Sequence, residues 1–162
     1  MNFSAEQLIT VNPTFFCEIK DENLEVRHLL RQARNALTGP GPIRKLWARF
    51  VEVLRPLCDR LAAQFDLEET YGYFANPSGA STRVSRRARA LQSQHAALIS
   101  ELRAICDQAE QRLREGSVPL APRRIVQEFD AFCSRLQDHD AGEEDLIFLV
   151  VKMDRNPPIK VG

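Results

Sequence analysis

The amino-acid sequence predicts an all-α protein, an antiparallel up-down-up-down bundle of four helices. Three observations lead there. Four long stretches carry apolar residues at helical spacing, the segments between them are punctuated by Gly and Pro, and nothing reads as a sheet. The bundle is expected over residues 19–151, with an N-terminal arm over 1–18 and a C-terminal tail over 152–162.

The first helix is expected from Ile19 to Leu37. Val26, Leu29, Leu30, Ala33 and Leu37 follow the i, i+3, i+4, i+7 rule, and Thr38-Gly39-Pro40-Gly41-Pro42 stops the run. The second, from Pro42 to Glu69, opens on a proline, whose missing N–H would be unpaired in a first turn anyway. Ile43, Trp47, Phe50, Leu54, Cys58, Leu61 and Phe65 form its apolar face. Pro56 lies on the opposite side, which predicts a kink rather than a break. Tyr71 to Ser81 reads as a loop, through Gly72, Asn76-Pro77 and Ser78-Gly79. The third helix runs from Thr82 to Glu115, with Val84, Ala88, Leu91, His95, Leu98, Leu102, Ile105, Ala109 and Leu113 on one side and Gly116 as its stop. Pro119 and Pro122 mark a second loop. The fourth helix, from Pro122 to Val151, places Ile125, Phe129, Phe132, Leu136, His139, Glu143, Leu146 and Val150 on one face and ends before Asn156-Pro157-Pro158. Taken alone, Ile147 to Val151 could pass for a short strand.

Composition narrows the class. A chain of 162 residues is sized for one domain with a real core, and 44% hydrophobic with 27% charged residues is ordinary for a globular protein. Lys+Arg and Asp+Glu balance at 22 each, so net charge argues for neither nucleic acid nor an anionic membrane. No apolar run approaches the roughly 20 residues of a bilayer span. MNFSAEQLIT lacks a basic stretch followed by an apolar one, so a cytoplasmic location is expected. Cys17, Cys58, Cys106 and Cys133 lie far apart and form no CxxC pair, which fits buried free thiols. Arg83, Arg86, Arg87 and Arg89 read as a solvated face, and Trp47 as a core residue. There is no Gly-rich phosphate loop, no G-x-S-x-G and no H-E-x-x-H, so no enzyme class is indicated.

The informative feature is polar residues on the wrong face. At about 100° per residue, His95 falls inside the third helix's apolar stripe, and His139 and Glu143 fall inside the fourth's, one turn apart. Glu68 falls at the edge of the second's, one turn after Gln64. Buried charges are expensive unless paired or bound to metal. An imperfect repeat sharpens the point: Leu61-x-x-Gln64-Phe65-x-x-Glu68-Glu69 against Leu136-x-x-His139-x-x-x-Glu143-Glu144, each with an aromatic, Tyr73 or Phe148, five residues beyond the first Glu. A histidine and a carboxylate at i and i+4 project from one side of a helix and can reach one ion or two neighbouring ones. Imidazole and carboxylate together suit iron, manganese or zinc.

These residues resemble the signatures of the hemerythrin-like (HHE) family, over roughly Ile19 to Val151. The resemblance implies a bundle holding a non-haem di-iron centre. Its ligands are a histidine from the first helix, an HxxxE pair from the second, one or two histidines from the third, and an HxxxE or HxxxxD pair from the fourth. His139-x-x-x-Glu143-Glu144 matches the fourth-helix motif, His95 the third-helix histidine, and Glu68-Glu69 the second-helix carboxylates. Gln64 stands where the second helix's histidine belongs, and the first-helix position falls on Glu22 or Asn23. His28 projects opposite the Val26/Leu30 stripe and is not counted. The implied metal ligands are therefore Glu68, His95, His139 and Glu143, for one or two non-haem iron ions and a small diatomic ligand. Three functional readings stay open. They are an iron binder for oxygen, nitric oxide or redox sensing or for iron handling, a metal-free interaction or scaffold module, and an oxidase using a carboxylate-rich metal pair. The last ranks lowest, because no Glu-x-x-His motif stands on the site helices.

Overall fold

A computed structural model describes residues 7–76 and 81–156. The turns expected at Pro77 to Gly79 and at Pro157-Pro158 lie outside the described residues, as do residues 1–6 and the side chain of Glu22. In chain order the elements are β1 (Ile9–Val11), α1 (Pro13–Glu22), α2 (Leu24–Ala36), α3 (Ile43–Leu67), a π-helical turn (Glu68–Gly72), β2 (Tyr73–Ala75), α4 (Thr82–Arg114) and α5 (Arg123–Arg155).

The protein is a helical bundle, with five α-helices among the described residues where four were expected. The first expected helix is two. α1 begins inside the stretch expected as an arm, where Asn12 Oδ1 accepts from the Phe15 N–H and Pro13 occupies the first helical position. It ends at Asn23 (φ −93°, ψ 47°), whose own Oδ1 accepts from the Val26 N–H and so starts α2. The other boundaries lie close to expectation. α3 runs unbroken through the exposed Pro56. α5 continues to Arg155, so Ile147 to Val151 is helical.

Side-chain pairs fix the relative directions. Asn23 meets Gln64 and Glu25 meets Arg60, so α2 and α3 are antiparallel. Trp47 pairs with Ala109 and Phe65 with His95, which makes α3 and α4 antiparallel. Gln94 meets His139 and Glu101 meets Arg135, setting α4 against α5. Lys20 pairs with Asp140 and Arg34 with Asp130, which closes the ring from α1 and α2 to α5.

A two-stranded antiparallel ribbon corrects the expectation of no sheet. Val11 faces Tyr73 and Ile9 faces Ala75. Three-residue strands are too short for alternation to register against the helical pattern around them.

Apolar burial falls into two clusters. The larger runs from Val26 and Trp47 through Leu54, Phe65, Leu98 and Leu102 to Phe132 and Leu136. The smaller joins Val11, Phe16 and Tyr73 of the ribbon and α1 to Val84, Ala88, Leu91 and Leu146. Along α4, His95 lies between Leu91 and Leu98, and along α5, His139 and Glu143 lie between Leu136 and Leu146. A polar layer thus separates the two cores. Trp47 is core as expected, its indole N–H donating to the Ala109 carbonyl at 2.8 Å. Cys58 and Cys106 are buried and Cys133 half-buried, but Cys17 is exposed, against expectation. Arg83, Arg86 and Arg89 are exposed, and Arg89 donates to the Gln7 carbonyl, which ties β1's approach to α4. Among the described residues no helix is long and apolar enough to cross a membrane.

Candidate metal centre

Glu68, His95, His139 and Glu143 meet in the polar layer. All four are buried, at 2% exposure or less, and one ligand atom from each lies within 4.8 Å of the others. His95 Nε2 is 3.3 Å from Glu68 Oε2 and 3.5 Å from Glu143 Oε1. His139 Nε2 is 3.2 Å from Glu143 Oε1. Helical phase alone brings His139 and Glu143 together one turn apart on α5 and aims His95 at them from α4.

Both imidazoles are held from behind. His95 Nδ1 lies 2.8 Å from Glu69 Oε1, and His139 Nδ1 lies 2.9 Å from Gln94 Oε1. Both partner oxygens are acceptors, so each Nδ1 carries a proton and each Nε2 points into the cluster. Phe65 stacks on His95, centroids 4.1 Å apart and rings 5° from parallel, and meets His139 edge-on. Glu69 reaches His95 from the π-helical turn through which the chain leaves α3. Glu68 and Glu69, successive residues of that turn, meet opposite nitrogens of the same imidazole.

The ribbon and α1 roof the layer. Tyr73, the first residue of β2, donates its hydroxyl proton to Glu143 Oε1 at 2.8 Å. Phe16 of α1 packs edge-on against the Tyr73 ring, 5.1 Å between centroids. It sits so close to Gly72 that a Cβ there would lie 2.3 Å from the Phe16 ring, so glycine is required. One turn after Phe16, Lys20 brings its ammonium 2.9 Å from Glu143 Oε2 and 3.6 Å from Asp140 Oδ1.

Several expectations are revised. Asn23 does not reach the cluster. Its Nδ2 donates to Gln64 Oε1 at 2.8 Å, and Gln64 Nε2 donates to Glu68 Oε1 at 2.9 Å. Gln64 therefore braces Glu68 from the position expected to be ligand-like. The first helical segment contributes Lys20 instead. Glu22 as a ligand rests on a side chain outside the described residues. His28 is exposed, as its face predicts. The internal repeat holds for Tyr73 but not for Phe148, which is 62% exposed. Glu69 enters the sequence reading as half of the Glu68-Glu69 carboxylate match, whereas Lys20, Tyr73 and Gln94 are not singled out for the site. Of these, only the repeat that marked Tyr73 carried a signal.

Burial and charge set the protonation of the cluster. Burial disfavours an imidazolium at His95, but Glu143, Glu68 and Glu69 outweigh it and push the pKa up to about 9. Glu143 is buried too, yet contacts from His139 and His95 and the Lys20 charge hold its carboxyl well below the usual range. Glu68 moves the other way. Burial raises its pKa and the Glu143 charge adds to that, against contacts from His95 and Gln64.

The donor set fits a metal ion. Among the described residues, Glu68 Oε2, His95 Nε2 and His139 Nε2 are buried without a hydrogen-bond partner; so is Glu143 Oε2, although Lys20 pairs with it by distance. Such orphaned acceptors facing one another are unfavourable unless a cation or a proton lies among them. A ligand shell of about 2.1 Å radius separates neighbouring donor atoms by about 3.0 to 3.4 Å, close to the 3.2, 3.3 and 3.5 Å of three pairs here, and the full set, which spans up to 4.8 Å, would close in slightly around an ion. Nδ1 partners such as Glu69 and Gln94 are also the usual orienting groups behind ligating histidines.

A family model described as the hemerythrin HHE cation binding domain matches residues 15–148. No curated protein and no solved structure matches the chain. With a buried two-histidine, two-glutamate cluster able to coordinate a metal ion in that frame, the chain belongs to the hemerythrin HHE cation-binding family, with an incomplete ligand set.

Proposed function

We propose that the chain is a cytoplasmic non-haem iron protein that binds metal through His95, His139, Glu143 and Glu68 and offers a remaining coordination position to a small diatomic ligand. In this reading α1 and α2 together serve as the first member of an up-down-up-down four-helix frame. The observation that carries the proposal is the convergence of Glu68 Oε2, His95 Nε2 and His139 Nε2, buried and without a hydrogen-bond partner among the described residues, around Glu143 Oε1, both imidazoles being turned inward by their Nδ1 partners. Two imidazoles and two carboxylates suit iron, with manganese and zinc as competitors. Iron bound there would supply a redox-active Lewis acid.

The chain's own residues do the rest. Glu69 and Gln94 fix the imidazole orientation, Phe65 and the Phe16–Tyr73 pair exclude water, and the Tyr73 hydroxyl holds Glu143 in place. With two nitrogen ligands, the set favours harder, oxidised iron and weak oxygen binding, which points to sensing or iron handling rather than to oxygen carriage. The test is anaerobic loading with Fe(II), metal analysis, and an absorption spectrum before and after oxidation. Wild type is expected to retain iron and the His95→Ala/His139→Ala double variant to lose it. Folded wild type that retains no metal would sink the proposal.

One observation favours a metal-free module instead. Lys20 gives the cluster a positive charge of its own, 2.9 Å from Glu143. On that reading the double variant changes stability alone, and no metal-dependent spectrum exists to lose.

A further inference from the structure

We propose that the cluster holds a single metal ion, and that Lys20 and Gln64 fill the positions a second ion would need. The inference rests on the metal-binding reading above. Two ions bridged by a carboxylate in its two-oxygen mode, the one suited to metals about 3.5–4 Å apart, use both of its oxygens. Neither glutamate has both free. Glu143 turns Oε1 to His95 and His139, where it also accepts from the Tyr73 hydroxyl, and gives Oε2 to the Lys20 ammonium, 2.9 Å away. Glu68 turns Oε2 to His95 and gives Oε1 to the Gln64 amide at 2.9 Å. Each histidine likewise has one nitrogen inward and one engaged behind it. What remains is one donor atom from each of four residues, a set for one ion.

Charge leads to the same answer. One divalent cation would balance Glu68 and Glu143, since Glu69 is paired with His95 and Asp140 with Lys20. A second would lie beside a side chain that is only 12% exposed and already carries an ammonium. That ammonium is held on its far side by Asp140, through Oδ1 at 3.6 Å and the backbone carbonyl at 3.5 Å. Lys20, Asn23, Arg27, Gln64 and Asp140 line a narrow cleft of about 50 Å³ on this side of the bundle. Lys20 therefore stands between that cleft and the cluster, on the flank from which a second ion would be coordinated.

The test counts metal per chain. Purified protein is stripped with chelator, equilibrated anaerobically with Fe(II) and separately with Co(II), dialysed, and analysed by mass spectrometry of the metal. Wild type is expected to saturate at one ion. Lys20→Glu replaces the ammonium with a carboxylate beside Glu143 and Asp140 and is expected to take two. Lys20→Met, the variant to rely on if Lys20→Glu does not fold, is expected to keep one ion and bind it about tenfold more tightly, because a like charge is removed from its neighbourhood. Two ions in wild type would overturn this inference and leave the metal-binding reading intact. None in wild type would overturn both. One ion in wild type and in folded Lys20→Glu, with unchanged affinity in Lys20→Met, would remove Lys20 from the account.

Discussion

The metal-free protein should lose stability as pH rises from neutral to mildly alkaline, and His95 is the reason. Its imidazole faces Glu68 and Glu69 from the π-helical turn and Glu143 and His139 from α5, with the Tyr73 ring alongside. Folding raises its pKa from 6.5 to about 9. The folded state therefore holds a proton that the unfolded chain gives up earlier. The stabilisation is complete below about pH 6.5 and lost as pH climbs through about 9. At about 1.4 kcal/mol per pH unit of displacement the whole effect is about 3 kcal/mol, and most of it is gone by about pH 8.5. A small domain unfolds in urea with a slope of about 2 kcal/mol/M, so the midpoint should fall by roughly 1 M. The assay is urea unfolding followed by circular dichroism, in chelator, at intervals between about pH 6 and 8.5. Stopping there keeps clear of the thiols, because an unfolded cysteine ionises only near pH 9. His95→Gln, which cannot be charged, should flatten the profile. A wild-type midpoint that stays constant or rises over this window would refute the electrostatic reading of the cluster. Metal should reverse the slope, because binding competes with the proton on His95 and strengthens as that proton is lost.

Gly72→Ala would push a methyl group into the Phe16 ring and should cost about 1–3 kcal/mol in thermal or denaturant unfolding, with reduced metal retention as the roof shifts. Tyr73→Phe leaves Glu143 Oε1 without its hydroxyl donor; the loss of a buried hydrogen bond to a charged group should destabilise the metal-free protein by about 2 kcal/mol in urea titrations. Gln94→Ala releases His139 Nδ1 and should weaken metal affinity by about 10- to 100-fold in competition with a chelator, with the helical circular dichroism unchanged. Trp47→Phe removes the indole bond to Ala109 at the other end of the bundle. It should lower stability by about 1–3 kcal/mol but leave metal content per folded chain untouched, which separates damage to the fold from damage to the site.

Much of the bundle was legible in the sequence because long helices repeat their signal many times. The stripe Leu91, His95, Leu98, Leu102 on α4 predicts its buried face residue by residue, and the same periodicity places His139 and Glu143 inside α5. What escaped is short or tertiary. The ribbon has three residues per strand, and the π-helical turn follows an α-helix with no change in composition. The break at Asn23 did carry a local signal, an asparagine able to cap α2, but an amphipathic stripe on both sides concealed it. Lys20 was invisible for a different reason. A long cationic side chain is normally assigned to solvent, and only the buried Glu143 and the half-exposed Asp140 on a helix distant in sequence hold it inside.

The donors at positions 68, 95, 139 and 143 come from three separate elements, and only the last two are near neighbours along the chain. An unfolded polypeptide cannot present them to one ion, so any metal bound there is a ligand of the native state alone. By mass action each tenfold excess of free metal over its dissociation constant then adds about 1.4 kcal/mol to stability. Melting temperature would track metal supply, and a cell short of the ion would hold a larger unfolded fraction open to proteolysis. The protein's abundance would thus report the availability of its metal before any dedicated signalling took place.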